Sequence, residues 1–321
     1  MKTEMKQFIG KVVLFCLFLL IFILFGISRI TVGWQGDYMF ALIDKFNNLK
    51  TENRPKIILI GGSNLAFGMD SETISEYYDM PVINLGLHAG IGLRFLLEGI
   101  KPYIKKNDLV IIIPEYGHFY DLYLGLGSTL IQILFNVYPE GFRYVTFQQF
   151  LMIFSELPRY SIDNMRSAYI EGHTFRKHEH RIYARNSFNR YGDVTAHWAE
   201  LSYTNYQYRD LKVRSINKKM LKELEQYVLY YQSQGVEVVI LPPAIINIMA
   251  ESMKGEIQQV TETLAQNPNR AYQYFHPEQY SLPDSLGYDT RYHFLKPGID
   301  IRVRYLIEDL DKFLQENHTV K

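Results

Sequence analysis

The chain has 321 residues, 47% hydrophobic and 21% charged, and its 34 Lys and Arg balance 34 Asp and Glu. This content supports a packed core and excludes a disordered chain, and a zero charge balance gives no support for nucleic-acid binding, which needs a basic face. The single cysteine, Cys16, excludes a disulfide framework or a cysteine-based metal site in the rest of the chain.

Val12 to Ile27 is apolar except for Gly26, and Phe8 and Ile9 extend the run at its front. Such a run is long enough to cross a bilayer as one helix. Lys2, Lys6 and Lys11 precede it, while only Arg29 follows closely before Asp37. The positive-inside rule then places the N-terminus in the cytoplasm and the rest of the chain outside, periplasmic or at the cell surface. A cleaved signal peptide is the competing reading. The sequence after the run, GISRITVGW, has no small-residue cleavage site, which favours an uncleaved anchor.

Trp34 to Asn53 follows, with Phe40, Leu42, Ile43 and Phe46 at helical spacing. The stretch KIILIGGSNLAFG, Lys56 to Gly68, comes next. Ile57 to Ile60 is a short buried strand, Gly61 and Gly62 permit a sharp turn, and Ser63 stands at the strand's end. Ser71 to Tyr78 reads as a helix. Val82 to Leu85 is a second strand, running into the glycine-bearing loop GLHAGIG, which lacks a full dinucleotide fingerprint. Leu93 to Ile104 reads as a helix and Leu109 to Ile113 as a third strand, ending in Pro114, Glu115 and Tyr116. Strands alternating with helices imply a parallel sheet.

Phe119 to Arg214 interrupts this rhythm. It is long and aromatic, with helical patterns at Leu130 to Phe135 and Phe147 to Phe154. The sheet pattern resumes with helix Ile216 to Gln234, stopped by Gly235, and strand Val236 to Leu241. Helix Ile246 to Ala265, a short fifth strand Tyr272 to Phe275, a polar loop Asp289 to Gly298 and a closing helix Ile299 to Asn317 complete the chain. The expected organisation is a cytoplasmic tip and anchor at 1–30, a juxtamembrane helix at 31–55, an α/β domain at 56–118 and 215–321, and an inserted lobe at 119–214.

A hydroxyl nucleophile needs a base, a group to orient that base, and donors for the developing oxyanion. His293 lies just before the last helix in YDTRYHFLKPG, four residues after Asp289. In a loop this spacing lets the carboxylate turn back and fix the imidazole tautomer. The bland alternative is a strand-to-helix turn in which Ser63 is only a cap. His88 and Glu115 follow the second and third strands and are expected to approach Ser63, with Tyr116 beside them. In the insertion, Arg185, Asn186 and Asn189 are candidate substrate contacts. His173, His178 and His180 alternate as metal ligands can, but no carboxylate set accompanies them, so no metal is expected.

These blocks resemble the SGNH hydrolase superfamily, the GDSL-type esterases and acyltransferases. Gly61-Gly62-Ser63-Asn64 matches the nucleophile block, Asn84-Leu85-Gly86 through Gly90 the glycine block, and Asp289 with His293 the C-terminal block. The wording also resembles the membrane-anchored branch linked to polysaccharide O-acetylation and teichoic-acid D-alanylation. The resemblance covers residues 56–116 and 236–316. It implies a flavodoxin-like three-layer α/β fold with an inserted helical lobe, and a Ser63–His293–Asp289 triad. Ser63 and Gly90 would supply oxyanion amides, with Asn64 standing in for a missing donor. No cofactor is implied. The implied substrate is an acyl ester of a polysaccharide, with a membrane-bound acyltransferase as a possible partner. The chain departs from the family at its third block, where Pro114-Glu115-Tyr116 replaces an Asn, and the Asp–His spacing is one residue longer than usual. The alternative role is an incomplete subunit that binds glycan or a partner. Asp193 and His197 repeat the Asp–His spacing inside the insertion, where the family does not place it.

Overall fold

The computed structural model describes residues 2–28, 36–125, 127–169, 182–202 and 214–319. His173, His178 and His180 lie outside the described residues.

Helix α1, Lys2–Ser28, is long and apolar enough to cross a membrane. Helix α2, Ala41–Thr51, buries Leu42, Phe46 and Leu49 on one side, as the spacing predicts. It also buries Lys45, which donates to the carbonyls of Asn84 at 2.8 Å and Gly192 at 2.5 Å. Burial lowers that lysine to about 7.

Strand β1, Ile57–Gly61, leads through a short helix α3, Ser63–Ala66, to α4, Ser71–Tyr78. Asp70 caps α4 by accepting the Thr73 N–H at 3.2 Å. Strand β2, Val82–Asn84, helix α5, Leu93–Ile100, and strand β3, Leu109–Ile113, follow. The inserted lobe supplies α6, Gly127–Gln132, a π-helical turn at Ile133–Val137, and α7, Phe147–Tyr169. Helix α8, Lys218–Ser233, and strand β4, Glu237–Ile240, return the chain to the sheet.

The sheet is parallel in the order β2-β1-β3-β4, with Ile58 opposite Ile83 and Val110. β1 and β3 are buried along their whole length, as continuous apolar runs in a parallel sheet require. At their start, Lys56 and Asp108 form an ion pair at 2.8 Å with both side chains fully buried. Helices α5 and α8 join through Tyr227 to Glu98 at 2.6 Å and Tyr231 to the Leu97 carbonyl at 2.5 Å.

The expected helix from Ile246 is broken. Ile245–Ile246 forms a small strand β5, then α9, Asn247–Ser252, and α10, Lys254–Ala265, part at Met253. Strand β5 pairs in parallel with β6, Ser281–Leu282, as a separate ribbon. The expected strand at Tyr272 to Phe275 does not form. Asn269 accepts the Ala271 N–H at 3.0 Å and winds Arg270–Tyr272 into a 3-10 turn instead. A side chain that caps the backbone locally competes with strand pairing. The closing helix α11, Lys296–Thr319, starts earlier than expected, with Pro297 in its first turn. It bonds α4 through Tyr77 and Tyr78 to Asp311 at 2.7 and 3.0 Å.

The inserted lobe is continuous with the core. Tyr138 stacks on Phe46 with ring centres 4.9 Å apart, and the Asn84 N–H donates to the Tyr191 carbonyl at 2.9 Å.

Candidate functional site

Ser63 stands where β1 ends, and its neighbours fix that turn. The Asn64 side chain accepts the Gly62 N–H at 2.9 Å and donates to the Ile113 carbonyl at 3.1 Å, tying the ends of β1 and β3 together. Arg302 of α11 is fully buried beneath the turn and donates to the carbonyls of Asn64 and Gly68. Among the described residues its Nε and Nη2 have no hydrogen-bond partner, and burial lowers the guanidinium to about 10.

His293 reaches the same edge from the loop before α11. The Phe294 N–H donates to the Phe67 carbonyl at 3.1 Å, and the His293 ring stacks on Phe67 at 4.2 Å and 12°. The turn of Ser63 therefore carries the platform for the histidine. Asp289 Oδ1 lies 2.7 Å from His293 Nδ1, and the Tyr183 hydroxyl donates to Asp289 Oδ2. A carboxylate at Nδ1 assigns the proton there and leaves a lone pair at Nε2. That Nε2 is buried and has no hydrogen-bond partner among the described residues. Burial pushes the Asp289 carboxyl up, but the bonds and charge of His293 and the bond from Tyr183 outweigh it and hold the carboxyl below its usual range. Burial and the bond to Asp289 raise Tyr183 far above the ordinary phenol, so it stays protonated.

Glu115 follows β3 and enters this space. Its Oε1 lies 3.3 Å from Ser63 Oγ and accepts the Asn64 N–H at 3.1 Å. Gly62 permits the approach, because a Cβ there would stand 2.3 Å from Glu115 Oε1. The Glu115 N–H donates to His118 Nδ1 at 3.0 Å, so the proton of neutral His118 sits on Nε2, 3.3 Å from the Ala89 carbonyl. Ser63 and His293 are thus on one edge, but no hydrogen bond joins them: the serine rests on the glutamate.

Two of the three expected oxyanion donors, Gly90 and Asn64, are engaged elsewhere. The Gly90 N–H donates to His88 Nδ1 at 2.9 Å, the Asn64 N–H to Glu115, and the Asn64 amide to Ile113. His88 caps the turn at Ala89–Ile91, and loss of surrounding water lowers its proton affinity, with Glu115 opposing that and His293 adding to it.

Other candidates lie apart. Tyr116 is fully buried with its ring edge-on to Phe275. Arg185 pairs with Asp44 at 2.6 Å, Asn186 is exposed, and Asn189 accepts the N–H groups of Tyr191, Gly192 and Asp193 within a turn. Arg185 and Asn189 line a separate groove with Asp44 and Lys45. Asp193 and His197 do not pair. Asp193 accepts from Ser71, Asn84 and Asn189, and His197 Nε2 lies 2.9 Å from the Phe294 carbonyl. These two join the insertion to the sheet and the histidine loop. Among the described residues no cluster of His, Cys, Asp and Glu could hold a metal.

Sequence reasoning missed Tyr183, Phe67, His118 and Arg302. Phe67 lies inside the Lys56–Gly68 stretch and carried a signal by proximity. Tyr183 is 110 residues from His293, and nothing local marks it.

Compared with known proteins, the chain matches no family model, no curated protein sequence and no solved structure.

Proposed function

We propose that the chain is a membrane-anchored, extracytoplasmic SGNH-like esterase or O-acyltransferase of flavodoxin-like three-layer architecture. Its substrates are acyl esters, of which acetyl is the first to test, on an envelope or exported polysaccharide. The observation that carries this reading is the Asp289–His293 pair, with Nδ1 held at 2.7 Å and Nε2 free to accept a proton on the edge that presents Ser63. The strand order β2-β1-β3-β4 agrees with the leading part of the flavodoxin order. The docking of α1 on the domain, through Ser161 to the Ile23 carbonyl at 2.9 Å, favours a retained anchor over a cleaved leader.

In this reading Ser63 Oγ leaves Glu115, attacks the acyl carbon and gives its proton to His293 Nε2. Asp289 stabilises the imidazolium, and Tyr183 holds Asp289 in place. His293 then returns the proton to the leaving sugar oxygen as the carbon–oxygen bond breaks. The serine ester that remains is resolved by water or by a second sugar hydroxyl, which separates hydrolase from transferase.

A second reading is favoured by Glu115. A carboxylate beside the Ser63 hydroxyl and the Asn64 N–H opposes the negative charge that acyl transfer would develop there. In that case the domain binds glycan or a membrane-bound acyltransferase and does no chemistry itself.

The experiment is acetyl-ester hydrolysis by the full chain in nanodiscs, beside Ser63→Ala and His293→Ala. Loss of activity in both supports catalysis. Equal rates in all three sink the triad and leave the binding role.

A further inference from the structure

Helix α7 carries a stripe of large apolar side chains that the domain leaves uncovered. Phe147, Phe150, Leu151, Phe154 and Ile162 are 75%, 49%, 52%, 68% and 52% exposed. They recur at the three- and four-residue steps of one helix face, with Pro158 between them. The opposite face is fixed in the core: Gln149 donates to the Leu124 carbonyl at 2.8 Å and Tyr160 to Asn136 at 3.0 Å. The helix therefore cannot roll the stripe inward. A contiguous patch of this kind marks a surface that meets something apolar.

The position of α1 identifies what it meets. The last turns of α1 dock on α7 itself. Ser161 of α7 donates to the Ile23 carbonyl at 2.9 Å, and Asn136, in the π-helical turn beside it, donates to the Ile27 carbonyl at 3.2 Å. The contact is close because Gly26 has no side chain; a Cβ there would stand 2.6 Å from Ser161 Cβ. Ser161 lies seven residues after Phe154 and eleven after Phe150, which at about 100° per residue puts it on the stripe's own face. The stripe and the outward end of the apolar helix thus share one side of α7. Gln148, Ser155 and Arg159 flank the stripe with polar groups, as a helix at a membrane surface requires.

We propose that α7 is an interfacial helix whose Phe147–Ile162 stripe enters the outer leaflet of the bilayer beside the exit of α1. The inference rests on the reading of α1 as a membrane anchor. Two points of attachment would fix the tilt of the domain, where a single helix would leave it free to swing. The serine edge would then keep a set height and orientation above the lipid.

The test uses the full chain in nanodiscs of zwitterionic and anionic phospholipid with an environment-sensitive fluorophore on one cysteine. Native Cys16 reports the anchor. In a Cys16→Ala background, Leu151→Cys and Phe154→Cys report the stripe. Gln148→Cys, on the flank, and Leu229→Cys, on the exposed face of α8, are references. All four positions are on the surface, so the substitutions leave the core intact. The expected result is a blue shift at 151 and 154 with roughly twofold or greater quenching by lipids quencher-labelled near the headgroup, and little effect at 148 and 229. Cys16 is expected to be quenched by labels deep in the acyl chains. If Cys16 is deep while 151 and 154 match 229, the anchor stands and the interfacial helix is overturned, leaving the stripe as a protein-docking face. If Cys16 is also in water, the anchor reading fails with it.

Discussion

The hydroxyl of Ser63 lies 3.3 Å from the carboxylate of Glu115, while the imidazole Nε2 of His293 has no hydrogen-bond partner among the described residues. The same carboxylate oxygen takes the Asn64 N–H. If Ser63 attacks an acyl carbon, this carboxylate would stand close to the developing oxyanion, which needs donors instead. How the protein uses this contact decides between catalysis and binding.

Replacing Glu115 with Gln removes the charge and keeps the shape. If the contact is a resting state, acetyl-ester hydrolysis should rise by about tenfold or more, since relief of a like charge beside an oxyanion is worth on the order of 1–3 kcal/mol. Steady-state rates beside Ser63→Ala measure this. A fall to the Ser63→Ala level would make Glu115 a participant and end the resting-state account.

The pair behind Ser63 should show a ranked loss. Asp289→Asn puts the wrong tautomer on His293 and is expected to lower kcat by roughly a thousandfold or more. Tyr183→Phe removes one hydrogen bond to a charged group, about 1.5 kcal/mol, and should cost about tenfold. Equal losses would show that Tyr183 does more than hold Asp289.

Asp193→Asn separates the two Asp–His pairs. Asp193 is fully buried and accepts both the hydroxyl and the N–H of Ser71, with Asn84 Nδ2 at 2.8 Å. Loss of a charge-assisted network of this kind is expected to lower stability by about 2–4 kcal/mol, read by thermal or urea unfolding. The activity of the folded fraction should stay within a few-fold of the parent. Abolished activity at unchanged stability would instead assign the triad carboxylate to Asp193.

Acid should weaken the fold through its buried histidines. Burial lowers His197 from 6.5 to about 4, and lowers His118 as well. Between those values the unfolded chain binds the proton and the folded chain does not. Stability therefore falls as pH drops from 6.5 to 4 and loses no more to this group below that. The gap is worth about 3 kcal/mol at most. His197→Gln, followed by urea unfolding from pH 4 to 7, should flatten the profile. An unchanged slope would show that His197 does not titrate in this window.

Much of the layout was legible because it is local. Ile57 to Ile60 and Leu109 to Ile113 are apolar runs bounded by glycine and proline, and they form the central strands. Lys218–Ser233 has a helical stripe and a glycine stop. The apolar run at the N-terminus is one helix. The Asp289–His293 contact followed from four residues of spacing in a loop. Where local chemistry competed with pattern, the reading failed: the Asn269 cap turned an expected strand into a 3-10 turn.

The sequence by itself determined an α/β chain with a parallel sheet, a long apolar N-terminal helix, a serine at a strand end and a histidine beside a carboxylate. Those follow from periodicity, turn chemistry and short spacings. Only the tertiary structure decided what surrounds KIILIGGSNLAFG. Tyr183 reaches Asp289 across 106 residues, Arg302 supports the Ser63 turn across 238, and Glu115 meets Ser63 across 52. Such contacts come from how strands and helices stack, and a linear pattern of residue types does not encode which distant side chains share an edge. The exposed stripe of α7 is of the same kind. Its apolar spacing is visible in the chain, but an ordinary core helix has that spacing too. Which face the domain covers, and that α1 ends on the same face, is fixed by packing alone.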